Sequence, residues 1–392
     1  MSFIPVNTPL FEGNEKKYLN ECIDTGWISS EGHFVKKLEE DFAKFCDQKF
    51  GIAVCNGSVA IDVAVRAMKE VYNWQDNDEI IIPTFTIISC AQSVIYNKLK
   101  PVFIDCDPLT FNVDINLIKQ AITKKTKAIM VVHIYGLPSD MAGILAIAQK
   151  YNLKIIEDSA EAHGQEYQWQ DQSTKNHDQK NHNLKKQKCG SFGEVSTFSF
   201  YANKHITTGE GGMILTSNPQ IAKKCQYFRN LCFSENRFVH EDLGWNYRMS
   251  NLQGALGVAQ FEQIEKFIEK KKLIGKIYQD LLKNIPAQLP LQSNNYAQNH
   301  YWVFSLVLND DVKFDAKQAM KILHDNGIGT RPFFFPLHQQ PILKKMGFCD
   351  NDNIARNVSE RIYQRGFYIP TGLGITQEQQ ITVVKKVEEL FK

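Results

Sequence analysis

Between residues 50 and 157 short apolar runs alternate with amphipathic stretches, and this alternation constrains the chain more than any other feature. Runs at 51–55, 79–82, 101–104, 128–132 and 153–156 have the length of buried strands, while 58–71, 87–96, 114–123 and 139–151 carry apolar residues at helical spacing. Apolar strands separated by helices predict an α/β fold with a mostly parallel sheet covered on both faces. In such a sheet ligands gather beyond the C-terminal strand ends. The residues that follow each strand are therefore where chemistry is expected.

Further strands are predicted at 194–199 and 212–216, followed by one long helix over 250–282 that bridges to the rest of the chain. The remainder reads as a strand at 301–308, a helix at 316–326, a proline-rich segment at 331–341 and a terminal helix at 376–391. The expected organisation is a large α/β domain, 1–250, and a smaller α+β domain with its bridging helix, 251–392. Residues 169–188, WQDQSTKNHDQKNHNLKKQK, have too few apolar side chains to order themselves and read as an exposed loop extension. His177 and His182 within it read as solvated loop residues rather than a metal tract, so no metal site is expected.

Composition narrows the function classes. Lys and Arg number 45 against 43 acidic residues, so a formal charge of +2 provides no field to draw in nucleic acid or an anionic membrane. The start has neither a basic n-region nor an apolar h-region, and no window has the length of a membrane span, which leads to an expectation of a cytoplasmic protein. Nine scattered cysteines without a CxxC pair read as reduced thiols.

The chemistry centres on Lys204. It follows the apolar run 195–200 and enters the turn Thr207-Thr208-Gly209-Glu210-Gly211-Gly212, whose small residues let backbone approach a ligand. Upstream, the run 153–156 ends in Glu157-Asp158-Ser159-Ala160-Glu161. A lysine to bond an aldehyde, and a carboxylate to keep a ring nitrogen protonated, together suggest pyridoxal phosphate. Each residue also has a plainer reading. Asp158 is equally a helix cap, Glu161 a capping-box glutamate, and the Asn56-Gly57-Ser58 phosphate site an N-cap with no ligand. Ser199 offers another phosphate hydroxyl. Arg248 in 244–248 and Arg331 in 331–338 offer guanidinium groups, and the phenylalanines beside Arg331 read as core.

The order NGS, PTFT, EDSAEAHG, SFGEVSTFSFYANKHITTGEGG, GWNYRMSNLQGALGVAQ and RPFFFPLH resembles the sugar aminotransferases of the DegT/StrS-like family, over essentially the whole chain. These are pyridoxal phosphate enzymes of fold type I, which implies a large domain with a seven-stranded-type sheet. Gly26-Trp27-Ile28-Ser29-Ser30, Glu161 and Tyr301-Trp302 are similar to members that move an amino group from L-glutamate to C4 of GDP-4-keto-6-deoxy-D-mannose. The resemblance implies that Lys204 bonds the cofactor and shuttles the proton, Asp158 holds the ring nitrogen, and Glu161 contacts the ring hydroxyl. It implies too that Gly57, Ser58 and Ser199 hold the phosphate and that Asn246 reaches the neighbouring subunit's phosphate, in a homodimer with shared active sites. Trp27, Ser29, His163, Arg248, Arg331 and His338 are the substrate candidates. The sequence departs from the family at Ile87, where an aromatic ring often stacks on the cofactor, leaving Phe85 as a substitute, and in the length of 169–188. A UDP- or dTDP-linked keto sugar, or a cofactor-binding regulator without turnover, are the alternative readings.

Overall fold

The alternation over 50–157 builds five strands of a seven-stranded sheet. The computed structural model describes residues 3–169, 185–236, 238–349 and 356–392. Two helices, α1 (Glu15–Thr25) and α2 (His33–Phe45), lead into β1 (Phe50–Val54) and α3 (Gly57–Val71). There follow β2 (Glu79–Pro83), α4 (Ile88–Tyr96), β3 (Lys100–Ile104), α5 (Ile115–Ala121), β4 (Thr126–Val132), α6 (Met141–Tyr151) and β5 (Lys154–Asp158). A small ladder of β6 (Glu166–Gln168) with β7 (Lys186–Lys188) precedes β8 (Val195–Ser199), β9 (Gly212–Thr216) and α7 (Pro219–Arg229). Of the expected 169–188 extension, residues 170–184 lie outside the described residues.

Sheet order is β1-β9-β8-β5-β4-β2-β3. Strands β2, β3, β4, β5 and β8 pair in parallel, and β9 is inserted antiparallel to both β1 and β8. The strands are buried on both faces, as their continuous apolar runs require. Side chains fill one face around Ile80, Ile82, Met130 and Ile156, the other around Ile81, Ile129, Val131 and Ile155. Each fully buried aliphatic contributes about 2 kcal/mol.

The expected helix over 250–282 is corrected to two, α8 (Asn251–Phe261) and α9 (Ile264–Leu282). Apolar spacing continues through the break and gives no sign of it. The Glu262 carboxylate accepts from Asn14 Nδ2 (2.7 Å) and Tyr18 Oη (2.8 Å) of α1, which holds the junction against the N-terminal helix. The start of α8 is fixed by a reciprocal capping box between Ser250 and Gln253.

A four-stranded antiparallel sheet follows, ordered β10 (Ala287–Gln288), β11 (Phe304–Leu308), β13 (Gly366–Ile369), β12 (Arg331–Pro332). It is covered by α9, α10 (Ala316–Asp325) and α13 (Gln377–Glu389), with α11 (Pro341–Lys345) and α12 (Asn357–Arg365) beside it. Ile4 pairs with Ile328, which sets the N-terminal segment on this layer. Among the described residues no helix is long and apolar enough to cross a membrane.

Candidate active site

Two neighbouring parallel strands bring the acid and the amine together. Asp158 closes β5 and pairs in register with Thr197 of β8, whose chain turns after Ser199 and returns through the Tyr201–Gly209 bridge. Gly209 sits at φ +79°, a left-handed conformation that glycine adopts without cost. Lys204 lies in this turn with its side chain only 10% exposed. Its Nζ is 3.6 Å from Glu161 Oε1 and 3.7 Å from the centre of the Trp302 ring. Trp302 is itself anchored, its Nε1–H donating to the Asn203 carbonyl (2.9 Å).

Burial dominates the electrostatics here. It lowers the pKa of Lys204, against the opposing pull of the Glu161 and Asp158 charges, and raises that of Glu161. The other Glu161 oxygen accepts from the backbone N–H of Tyr135 (2.9 Å). Tyr135 holds a left-handed φ of 57°, a conformation costing on the order of 1–3 kcal/mol for a bulky residue, so the turn after β4 is bent to present that N–H. Asp158 is 3% exposed and burial raises its pKa. Its oxygens accept from Ala160 N–H (3.1 Å) and the Cys90 thiol (3.4 Å), neither of them a cation. A carboxylate in this setting is matched by a cationic ring N–H.

The third component is a helix N-terminus. Asn56 caps α3 by accepting from Val59 N–H (3.0 Å), and the Ser58 and Ser89 hydroxyls meet at 2.7 Å. A Cβ on Gly57 would lie 2.6 Å from Ser199 Cβ, and one on Gly212 would lie 2.5 Å from the Asn56 carbonyl oxygen. The strand ends thus close on α3 only because both positions are glycine. Free N–H groups, two serine hydroxyls and the positive end of a helix form an anion cradle. Amine, buried carboxylate and cradle together fit pyridoxal phosphate.

Beneath Asp158 lies a buried cluster of His133, Glu157 and Cys189. Ser139 N–H donates to His133 Nδ1 (3.0 Å), so Nε2 carries the proton and donates to Glu157 (2.9 Å). Glu157 accepts further from the N–H groups of Gly190, Phe192 and Gly193. With its lone pairs taken by donors this cluster is a hydrogen-bond hub that fixes the β5 end to the turn before β8, and not a metal site.

Several expected residues fall elsewhere. Phe85 is fully buried among Phe111, Tyr135, Phe333 and Phe334, so it is a core ring and not a stacking substitute. His163 packs on Phe42, Phe198 and Phe200, where burial lowers its pKa to about 3 and keeps it neutral, away from substrate. His338 is spent on Thr84 (2.7 Å) and Glu360 (2.9 Å), tying the β2 exit to α12. Ile87 is half-exposed as the N-cap of α4. Arg248 donates to Asn230 (2.6 Å), and Asn246 is exposed beside the same residue. Trp27 and Ser29 are exposed, their carbonyls accepting from Asn251. Arg331 fares differently: with Asn7, Tyr201, Asn203, Trp302 and Tyr368 it lines a cavity of about 230 Å³ next to Lys204. Tyr135, Cys90 and Trp302 were not among the expected site residues. Only the Tyr-Gly pair after a strand, at 135–136, carried a local signal of a sharp turn.

The model of the DegT/DnrJ/EryC1/StrS aminotransferase family matches residues 9–388. The chain belongs to this family. It is accordingly a pyridoxal-phosphate-dependent aminotransferase. Its relatives include the GDP-perosamine synthases of Vibrio cholerae, 35% identical over 389 residues and 99% of each chain, and of Escherichia coli, 35% identical over 393 residues, 100% of this chain and 99% of the other. Among solved structures, the Helicobacter pylori aminotransferase PseC, involved in the biosynthesis of pseudaminic acid, superposes with a TM-score of 0.87 at 20% identity, covering 100% of this aminotransferase and 99% of that chain.

Proposed function

We propose that this aminotransferase moves the amino group of L-glutamate onto C4 of GDP-4-keto-6-deoxy-D-mannose, giving GDP-perosamine for O-antigen-type glycan synthesis. The observation that carries the reading is the end-to-end likeness to GDP-perosamine synthases around an intact Lys204, Glu161 and Asp158 set.

When bound, pyridoxal phosphate supplies an aldehyde that bonds amines and a protonated ring that withdraws electrons from the adjoining carbon. In this reading Asp158 faces the ring nitrogen, Glu161 the ring hydroxyl, and Gly57, Ser58 and Ser199 the phosphate. Lys204 is the catalytic base. Burial holds its amine below the ordinary lysine range, so the uncharged form is available to take the α-proton of the donor in the first half of the exchange and, in the second half, to deliver a proton to C4 of the sugar. One short side chain serves both halves of the exchange because both protons move on one face of the site. Trp302 and Tyr135 exclude water from that face, and Arg331 offers a guanidinium to a carboxylate at the cavity mouth.

The proposal includes a homodimer. Leu243 is 90% and Phe238 72% exposed, and Val239 is exposed beside them in the segment that leads into Asn246; Trp27 and Ile28 are exposed as well. Asn246 then reaches the neighbouring subunit's cofactor phosphate. We assign the cofactor domain to residues 1–250 and the smaller domain to 251–392, with two exchanges across that boundary: Ile4 pairs with Ile328 of the smaller domain, and α8 packs on α1 and α2 of the cofactor domain; the proposed place of work is the cytoplasm.

The test uses the visible band of lysine-bound cofactor in purified protein. L-Glutamate should bleach it, and GDP-4-keto-6-deoxymannose alone should restore it; Lys204→Ala should lack the band and turnover. Restoration by the UDP or dTDP counterpart would keep the chemistry and overturn the product.

A further inference from the structure

A second buried lysine stands behind the site. Lys271 of α9 is 3% exposed, and its Nζ donates to the carbonyls of Trp302 (2.8 Å) and Thr371 (2.6 Å). Both are residues of the cavity wall. No carboxylate pairs with Lys271 among the described residues, an expensive arrangement that a methionine of similar volume would avoid. Four residues on, and so on the same helix face, a Cβ at Gly275 would lie 2.2 Å from the Tyr301 ring. One face of α9 thus grips the 301–302 turn twice, through the ring of Tyr301 and the carbonyl of Trp302. Tyr301 holds a left-handed φ of 52°, so the turn is bent and needs such a grip.

We propose that Lys271 is a positioning residue of the transamination: it fixes the Trp302 indole over the Lys204 amine and thereby keeps water from that amine. The inference rests on the reading of Lys204 as the reactive base. Two effects of the indole oppose each other. Its ring face favours the ammonium, whereas exclusion of water from a fully buried amine disfavours it more strongly. Desolvation is the larger, so freeing Trp302 raises the basicity of Lys204. Burial alone lowers the Lys271 pKa to about 7, and even its neutral amine has two N–H groups for two carbonyls, so the grip survives the loss of charge.

The test reads Lys204 without turnover. In full-length protein stripped of cofactor, pulse acetylation of the Lys204 peptide is followed against pH by mass spectrometry. Lys271→Met should raise the midpoint by at least about half a unit, Trp302→Ala should raise it at least as far, and the double variant should go no further than the larger single shift. An unchanged midpoint in folded Lys271→Met overturns the proposal. Shifts that add in the double variant overturn it too, because they would mean that Lys271 acts on Lys204 by charge and not through Trp302. Should Lys271→Met fail to fold, Lys271→Gln replaces it, whose shorter amide cannot hold both carbonyls; a midpoint equal to wild type then overturns the proposal. A Lys204→Ala protein that retained turnover would refute the base itself while leaving this readout intact.

Discussion

Single side chains here are set by burial more than by ion pairing. Lys204, Asp158 and Glu161 were legible in the sequence because each stands at or within five residues of a strand's C-terminal end, where an α/β sheet presents its chemistry. Trp302, Tyr135 and Lys271 were not, since their roles arise from contacts between segments far apart in the chain, such as Lys271 with Thr371. His163 shows the opposite failure, a polar residue within a site motif that folding commits to an aromatic core. Lys271 allows a prediction at this scale. An amine whose pKa falls on folding binds fewer protons folded than unfolded between pH about 7 and the ordinary lysine value, so its contribution to stability rises with pH across that window. From pH 6 to pH 9 the wild type should therefore gain roughly 3 kcal/mol relative to Lys271→Met in denaturant unfolding. Parallel stability curves for the two proteins would contradict this.

Elements place these residues, and their limits are the part of the sequence read least well. The strands from 50 to 157 stand within a few residues of expectation, because continuous apolar runs closed by polar residues leave few alternatives. The expected helix over 250–282 breaks at Glu262 and Gln263, where no glycine or proline marks the sequence; what the structure shows there is Glu262 held by Asn14 and Tyr18 from a distant segment. The N-terminus of α3 gives a test. Alanine is a better helix former than glycine, yet at position 57 its Cβ would meet Ser199 Cβ at 2.6 Å, against a β8 end locked in the sheet. Gly57→Ala should raise the dissociation constant for pyridoxal phosphate by about tenfold or more, followed by cofactor absorbance, with little change in helix content. Unaltered affinity would remove α3 from the phosphate site.

At the scale of the whole molecule, the exposed stretch around Leu243 is where the proposed dimer is tested. Leu243→Asp places a charge in the middle of the surface we assign to the dimer, and in sedimentation velocity it should weaken self-association by at least about tenfold. A variant that sediments as the wild type would move the interface elsewhere. Such a surface is hard to read from sequence, since isolated apolar residues in a polar loop give no periodic signal.

The pairing of Asp158 with Thr197 across β5 and β8 has a consequence for how the chain comes to be trusted as folded. Side chains alternate faces along a strand, so a slip of one residue between these neighbours would turn the acid away from the amine's side of the sheet. The visible band of lysine-bound cofactor, read with the amino donor left out, would then report on alignment at the centre of the sheet as well as on chemistry, because only a chain in this register presents acid and amine to one ring.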